Sequence, residues 1–365
     1  MSLAIDAILY GAHFDYSNLA SVCEQVIASG ASEVRVKCVL SETPLPALIA
    51  HLQQRKIFNL QTIVNTDQAI SGIVSRKMGR HPERTVSGKF YLIKHPSHQF
   101  VWLLITDAGG EYLKYVIRPF LKGIHPRITV PVFRTPQIES MLVSLMQGEA
   151  VEWARIKQVG GRTRIHSEGA VKRYESDRKW TDKAIREVFD EAKELGQWIT
   201  DVTAEFDVRQ GGRGVIRIGR YGTLAFRGLL RRVFDPLVNQ ASAFAQERYT
   251  FLRDRARRSE RAFEPRPFEI DFQFDALHTT EQFASLRTAL HKIPRTTCTI
   301  LHGNPYFHAV LADYTDGSVY EVLVLEASKL TVIPQGRSSV RALQRLGSYI
   351  FANFNEGEFV EISSV

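Results

Sequence analysis

WITDVTAEFDVRQGGRGVIRIGRYGTLAFRGLLRRVFDPLVNQASAFAQERYTFL, residues 198–252, changes its hydrophobic period part-way along. Trp198 to Val208 and Val215 to Phe226 read as strands around a Gly-rich turn. Beyond them, Leu230, Val233, Phe234, Leu237, Ala241, Phe244, Ala245 and Leu252 recur at helical spacing. Pro236 is expected to end or kink that helix early. A strand pair followed by a helix recurs in three places, which predicts an α+β protein: mixed β-sheets with flanking helices.

Upstream, the order reads strand, helix, strand, helix, strand. The strands are Ile5 to Tyr10, Val34 to Leu40 and Phe58 to Val64. The helices are Asn18 to Ala28 and one opened by Thr43-Pro44 that runs through His51. This alternation predicts an N-terminal α/β layer over residues 1–75. Ser71 to Lys89 carries Arg76, Lys77, Arg80, Arg84 and Lys89 and reads as a basic loop. An α/β extension over 76–146 follows it. Its strands are Phe90 to Lys94 and Phe100 to Thr106, with a β-like Ile128 to Phe133. Its helices are Glu111 to Lys122, which Pro119 is expected to kink, and one from Thr135-Pro136 to Met146 that buries Ile138, Met141, Leu142 and Leu145.

An Arg-rich α+β region covers 147–266 and a C-terminal hairpin and helix region covers 267–365. Val159-Gly160-Gly161-Arg162 reads as a hairpin turn, since paired glycines supply the positive φ angles such a turn needs. Thr181 caps a helix with Ala184, Ile185, Val188, Phe189 and Ala192 on one stripe. Phe268, Ile270, Phe272 and Phe274 alternate with polar residues. Thr279 and Gln282 have capping-box spacing before Phe283, Leu286 and Leu290. Thr315-Asp316-Gly317-Ser318 links two strands, Thr299 to Tyr314 and Val319 to Leu325. Within the first, Gly303-Asn304-Pro305 makes a bulge or bend with Tyr306 packed beneath. Ser338-Ser339 opens a last helix carrying Ala342, Leu343, Leu346, Ile350 and Phe351.

The chain has 365 residues and a formal charge of +8, from 47 Lys+Arg against 39 Asp+Glu. Val208 to Ala262 holds thirteen Arg, no Lys and four acids, so this one segment carries the whole basic excess. A concentrated basic stripe is the electrostatic footprint of a polyanion partner. Guanidinium is planar, always charged and able to grip a phosphate with two hydrogen bonds. On a strand, Arg213, Arg217 and Tyr221 share a face, with Arg220 and Arg227 close by, and Tyr221 offers a stacking surface. Arg231, Arg232, Arg253 and Arg257 extend the track. The expected hairpin at Gly160-Gly161 sets Lys157 opposite Arg164 and Arg155 opposite His166, a second cationic patch. The same charges also suit ordinary structure: Arg231 and Asp235 are an i,i+4 pair, and cations favour helix C-termini.

Glu269, Asp271 and Asp275 fall on one face of the 268–275 strand, where converging carboxylates could hold Mg²⁺ for phosphodiester cleavage. His302, His308 and Asp313 form a second polar cluster, in no zinc spacing. Gly88-Lys89 is followed by Phe90, so there is no phosphate loop, and G-x-G-x-x-G, H-E-x-x-H, G-x-S-x-G and C-x-x-C are all absent. The leading expectation is a sequence-tolerant nucleic-acid-binding protein, with DNA and RNA not distinguished and no cofactor. The alternatives are a metal-dependent nuclease using the 268–275 acids, with Mg²⁺ only in that case, and an assembly protein that grips an acidic protein partner. A homo-oligomer is compatible with each. Cys23, Cys38 and Cys298 read as reduced core fillers. Without an export signal or an apolar run that could span a bilayer, a cytoplasmic protein and no membrane partner are expected.

Overall fold

The computed structural model describes residues 16–28, 30–44, 47–48, 50, 53, 58–66, 68–78, 81–106, 110–124, 128–147, 151–167, 170–179, 184–194, 196–208, 212–256, 265–272, 276–303 and 306–362. Two compact units emerge, one of residues 1–164 with 173–246, the other of 165–172 with 247–365. The class is α+β, with every described strand pairing antiparallel. The expected Ile5 to Tyr10 strand, the Thr181 cap and Phe274 lie outside the described residues.

The strands of the large sheet are β1 (Val34–Leu40), β2 (Asn59–Asn65), β3 (Ala69–Met78), β4 (His81–Lys94), β5 (Val101–Thr106), β6 (Val151–Ser167), β7 (Ala170–Lys179), β8 (Gln197–Val208), β9 (Gly212–Gly219) and β10 (Thr223–Gly228). Their order is β2-β3-β4-β5-β1-β10-β9-β8-β6-β7. Among the described residues, the N-terminal strands β1, β2 and β3 belong to this larger sheet. β1 lies in the middle of the sheet, between β5 and β10, with Val36 opposite both Ile105 and Leu224. One sheet draws its strands from 1–75, 76–146 and 147–266 alike.

Strand parity divides the side chains between two faces. Val36, Cys38, Leu103, Ile105, Leu224 and Phe226 are buried on one. Here α1 (Leu19–Ala28) packs on β1 and β10. Leu230, just before the helix α5 (Arg231–Arg255), and Val233, Phe234, Leu237 and Ala241 on it face this core, with the Phe234 and Phe226 ring centroids 5.0 Å apart. Pro236 does not end α5. It forfeits one N–H bond near the helix start, and the buried apolar stripe carries the helix past it. On the opposite face, Val39, Val74, Phe90, Leu92, Trp102 and Leu104 form a core closed by the helical run α2 (110–124). α3 (Thr135–Gln147) and α4 (Ile185–Glu194) pack on each other and against β8.

Three local expectations are corrected. The basic stretch Ser71 to Lys89 is the β3–β4 hairpin, not a loop, because Ile70, Val74, Val86 and Phe90 supply a buried face between the charges. Val159 to Arg162 is no hairpin turn: β6 runs through it, with a register shift against β8 between Gly160 and Gly161. A Cβ on Gly160 would lie 2.6 Å from Asp201 Oδ2, so this glycine serves a close approach by β8 instead. Val215 to Phe226, expected as one strand, is the β9–β10 hairpin, which turns at Arg220-Tyr221-Gly222.

The disturbance expected at Pro119 takes the form of a π turn. α2 is regular over Gly110–Tyr112 and Arg118–Ile124, but over Leu113–Ile117 it widens, and the Arg118 N–H reaches the Leu113 carbonyl. Pro119 has no N–H to offer the Tyr115 carbonyl four residues back. Arg76 Nη1, on β3, donates to that carbonyl at 3.0 Å.

In the second unit the sheet order is β12-β13-β14-β15-β11-β16. Its strands are β11 (Phe268–Phe272), β12 (Thr296–His302), β13 (Phe307–Asp313), β14 (Ser318–Glu326), β15 (Lys329–Pro334) and β16 (Gly357–Glu361). The helices are α6 (Thr280–His291) and α7 (Val340–Asn353). The Thr279–Gln282 capping box forms as the spacing predicts, and Ser339 caps α7. Asp316 accepts from Ser318 N and Oγ and from Ser339 Oγ, which ties the β13–β14 turn to the start of α7. Tyr306 is 65% exposed and does not pack beneath a bend. No helix among the described residues is long and apolar enough to cross a membrane.

A Cβ on Gly214 would sit 2.4 Å from Phe206 Cζ and 2.7 Å from the Leu229 carbonyl oxygen. Gly214→Ala is therefore expected to destabilise the protein by about 1–3 kcal/mol. Urea denaturation reads this as a lower midpoint at unchanged slope.

Candidate nucleic-acid interface

The face that α2 covers over β2–β5 continues, without that cover, over β10, β9, β8 and β6. Residues directly opposite on antiparallel strands share a face, so the register builds the surface row by row. Asp207 of β8 lies opposite Arg213 of β9 and Trp153 of β6. In the next row, Glu205 lies opposite Val215 and Arg155, and Val215 lies opposite Arg227 of β10. Thr203 lies opposite Arg217, and Asp201 opposite Gly219 and Gly160. β8 thus contributes a column of Asp201, Thr203, Glu205 and Asp207 between two strands that carry cations.

The charges pair across the strands. Arg155 donates to Glu205 Oε2 through Nε at 3.0 Å and Nη2 at 2.8 Å, and Lys157 Nζ lies 3.2 Å from Oε1. Arg217 Nη2 lies 2.8 Å from Asp201 Oδ1, and Arg213 Nε 3.8 Å from Asp207 Oδ2. Arg227 grips Glu33 Oε2 through Nε at 2.9 Å and Nη2 at 2.7 Å, and Arg35 pairs with the other oxygen of Glu33. The layering is uneven. The side chains of Arg155, Arg213, Arg217 and Arg227 are 45%, 68%, 58% and 60% exposed, whereas those of Glu205 and Glu33 are 10% and 9% exposed. Guanidinium is the outer layer and carboxylate lies beneath it. Half-buried Lys37 donates to the Tyr221 carbonyl and Thr223 Oγ1, and burial pushes its amine down to about 8.

Arg155, Lys157, Arg213, Arg217 and Arg227 are thus brought onto one face, and the other expected contacts are distributed differently. Arg155, Lys157, Arg164 and His166 all belong to the one strand β6, so the hairpin that was to pair them does not form. Arg220 is 1% exposed and cannot meet a phosphate at the surface, because the turn that ends β9 directs it inward. Tyr221 is exposed, but in that turn and not on the strand face. Arg231 and Arg232 are exposed at the start of α5, where Glu24 Oε1 accepts the Arg231 N–H. Arg253 is half-buried in the second unit, and its neighbour Arg255 is buried there against Glu361 and the Phe251 ring. Arg257 lies outside the described residues. The sequence reading missed Trp153, and its position one residue-pair from Arg155 on β6 was the available signal.

The acidic candidates do not converge. Lys329 Nζ lies 3.4 Å from Glu269 Oε2 and 3.2 Å from Glu326 Oε2, and Asp271 lies opposite Lys329 in register. Asp275 lies outside the described residues. His302 and His308 stack with centroids 6.3 Å apart, and His308 Nε2 lies 3.1 Å from Glu321. Asp313 points to the other side of β13, where it is buried against Arg345. Among the described residues no three His, Cys, Asp or Glu side chains are placed to hold a metal ion.

No protein-family model and no curated protein matches the chain. Among solved structures, DynU16, a protein in the dynemicin biosynthetic locus, aligns over 59% of this chain and 98% of its own at 11% identity. Its TM-score of 0.19 is too low to carry an argument about fold or function.

Hydrogen bonds from Arg155 hold the Glu205 carboxyl below its usual range, with Lys157 adding to the effect. Burial pushes Glu33 up, but Arg227 and Arg35 outweigh it and the net shift is downward. A carboxyl lowered in the folded state stabilises fully above its ordinary pKa, and that contribution fades as pH falls through the folded value. Thermal melts should therefore show stability lost progressively below about pH 4.3, the ordinary glutamate value. Glu205→Gln is expected to lower stability at neutral pH and to flatten this acid limb.

Proposed function

We propose that the open face of β6, β8, β9 and β10 binds nucleic acid through its phosphates, without sequence preference. The observation that carries this reading is the layering, with exposed guanidiniums above sunken carboxylates. Each guanidinium has five donors, and the carboxylate partner occupies two of them at Arg155, Arg217 and Arg227. The acids below hold these three guanidiniums while their side chains stay 45–60% exposed, and Arg213 lies 3.8 Å from Asp207. Phosphate binding then needs little further ordering of long side chains. Three arginines of the basic Val208–Ala262 segment, Arg213, Arg217 and Arg227, lie on this face beside Arg155 and Lys157 of β6. DNA and RNA present the same phosphates to this layer. The three buried free cysteines suit a reducing compartment such as the cytoplasm.

Fluorescence anisotropy of labelled oligonucleotides over a salt series tests the reading. Four or five phosphate contacts predict that log affinity falls with log salt at a slope of about −3 to −4. Arg213→Glu with Arg217→Glu should weaken binding at least tenfold and reduce that slope. Absence of binding at low salt, or equal binding by wild type and the double charge reversal in a folded protein, would overturn the proposal. Competition by polyglutamate but not by oligonucleotide would assign the face to an acidic protein instead.

A further inference from the structure

Trp153 stands out on the open face because phosphate binding alone does not require it. The Arg155 and Arg213 guanidinium carbons lie 5.6 and 5.7 Å from its ring centroid. Trp153, Asp207 and Arg213 occupy one row across β6, β8 and β9, and Arg155 is two residues along from Trp153. The indole is half-buried, and both guanidiniums lie over its ring as cation–π partners. Flat guanidiniums held in this way offer π surfaces to unpaired bases as well as donors to phosphates.

The shape of the face bears on which nucleic acid can use these surfaces. Four adjacent strands at about 4.8 Å spacing make a surface roughly 14 Å across. The major groove of a duplex is about 12 Å wide and admits a helix or a two-stranded ribbon, not a broad sheet. A duplex laid on this face would present phosphates only, with its bases stacked out of reach. In a single strand the bases are free to turn toward the sheet. Resting on the phosphate-binding reading above, we infer that the Arg155–Trp153–Arg213 cluster stacks unpaired bases, so the face takes single-stranded nucleic acid in preference to duplex.

The test compares four probes of equal length by anisotropy: oligo(dT), oligo(U), a blunt DNA duplex, and a DNA strand of abasic tetrahydrofuran units. The abasic strand keeps the phosphates and removes every base. Oligo(dT) or oligo(U) should bind about tenfold tighter than the abasic strand, the scale of one stacked base, and tighter than the duplex. The ratio of the first two separates DNA from RNA. Trp153→Ala should bring the ratio of oligo(dT) to abasic affinity down to about one. Tryptophan fluorescence should be quenched by oligo(dT) but not by the abasic strand, and the fold-preserving Trp153→Phe should remove that quench. Equal binding of all four probes, or a quench that survives Trp153→Phe, would overturn the base-stacking inference and leave phosphate binding standing. Failure of every probe to bind would instead remove phosphate binding itself.

Discussion

β8 answers to two surroundings at once. Its even-numbered residues, Val202, Ala204, Phe206 and Val208, are buried in the hydrophobic core. Asp201, Thr203, Glu205 and Asp207 go to the open side, where β6 and β9 present their cations. A slip of one residue in either pairing would turn the acids into the core and the apolar side chains toward water. The core and the ion pairs therefore specify one and the same register. Gly160 and Gly214 belong to this constraint, because each lets β8 lie closer to a neighbour than a Cβ would allow.

The same arrangement accounts for the balance of charge. A chain with so many arginines in one segment would repel itself if they shared a face unopposed. Placing the acids of β8, and Glu33 beside β1, between them removes most of that repulsion. The acids sit low and the arginines reach over them, so pairing does not hide the cations from solvent. Surface pairs of this kind contribute little each to stability. Their larger effect is on orientation, since two-point contacts such as those of Arg155 and Arg227 fix the guanidinium plane.

Much of the fold was legible from spacing. The α5 stripe, the capping box at Thr279 and the strand character of β1, β2, β5 and β8 follow from local periodicity or local hydrogen bonding. What could not be read were features set by a distant partner. Gly160-Gly161 has the composition of a hairpin turn, and only the approach of β8 makes it an interior bulge. The β3–β4 hairpin hid behind its own charges, because Arg76 is consumed by a helix carbonyl far along the chain. The arginines were located as a group, but their fates diverged with position. Parity placed Arg213 and Arg217 outward, the turn buried Arg220, and the acids that hold the outward ones lie on another strand. Trp153 was missed because a lone tryptophan on a strand carries no local sign of the two guanidiniums that flank it.

Arg76 and Pro119 form a pair linked by one carbonyl group. Pro119 leaves the Tyr115 oxygen without its helical donor, and Arg76 supplies one from β3. One residue removes a donor and the other provides one, so the two act on the same oxygen from distant places in the chain. A chain with another residue at 119 regains the helical N–H, and Arg76 then keeps its contact with the Phe58 ring alone. A sequence that keeps Pro119 is held to a long donor there. Covariation between positions 76 and 119 is thus a trace that the π turn should leave in related sequences, and the pattern would mark descent of this helix irrespective of what the open face binds.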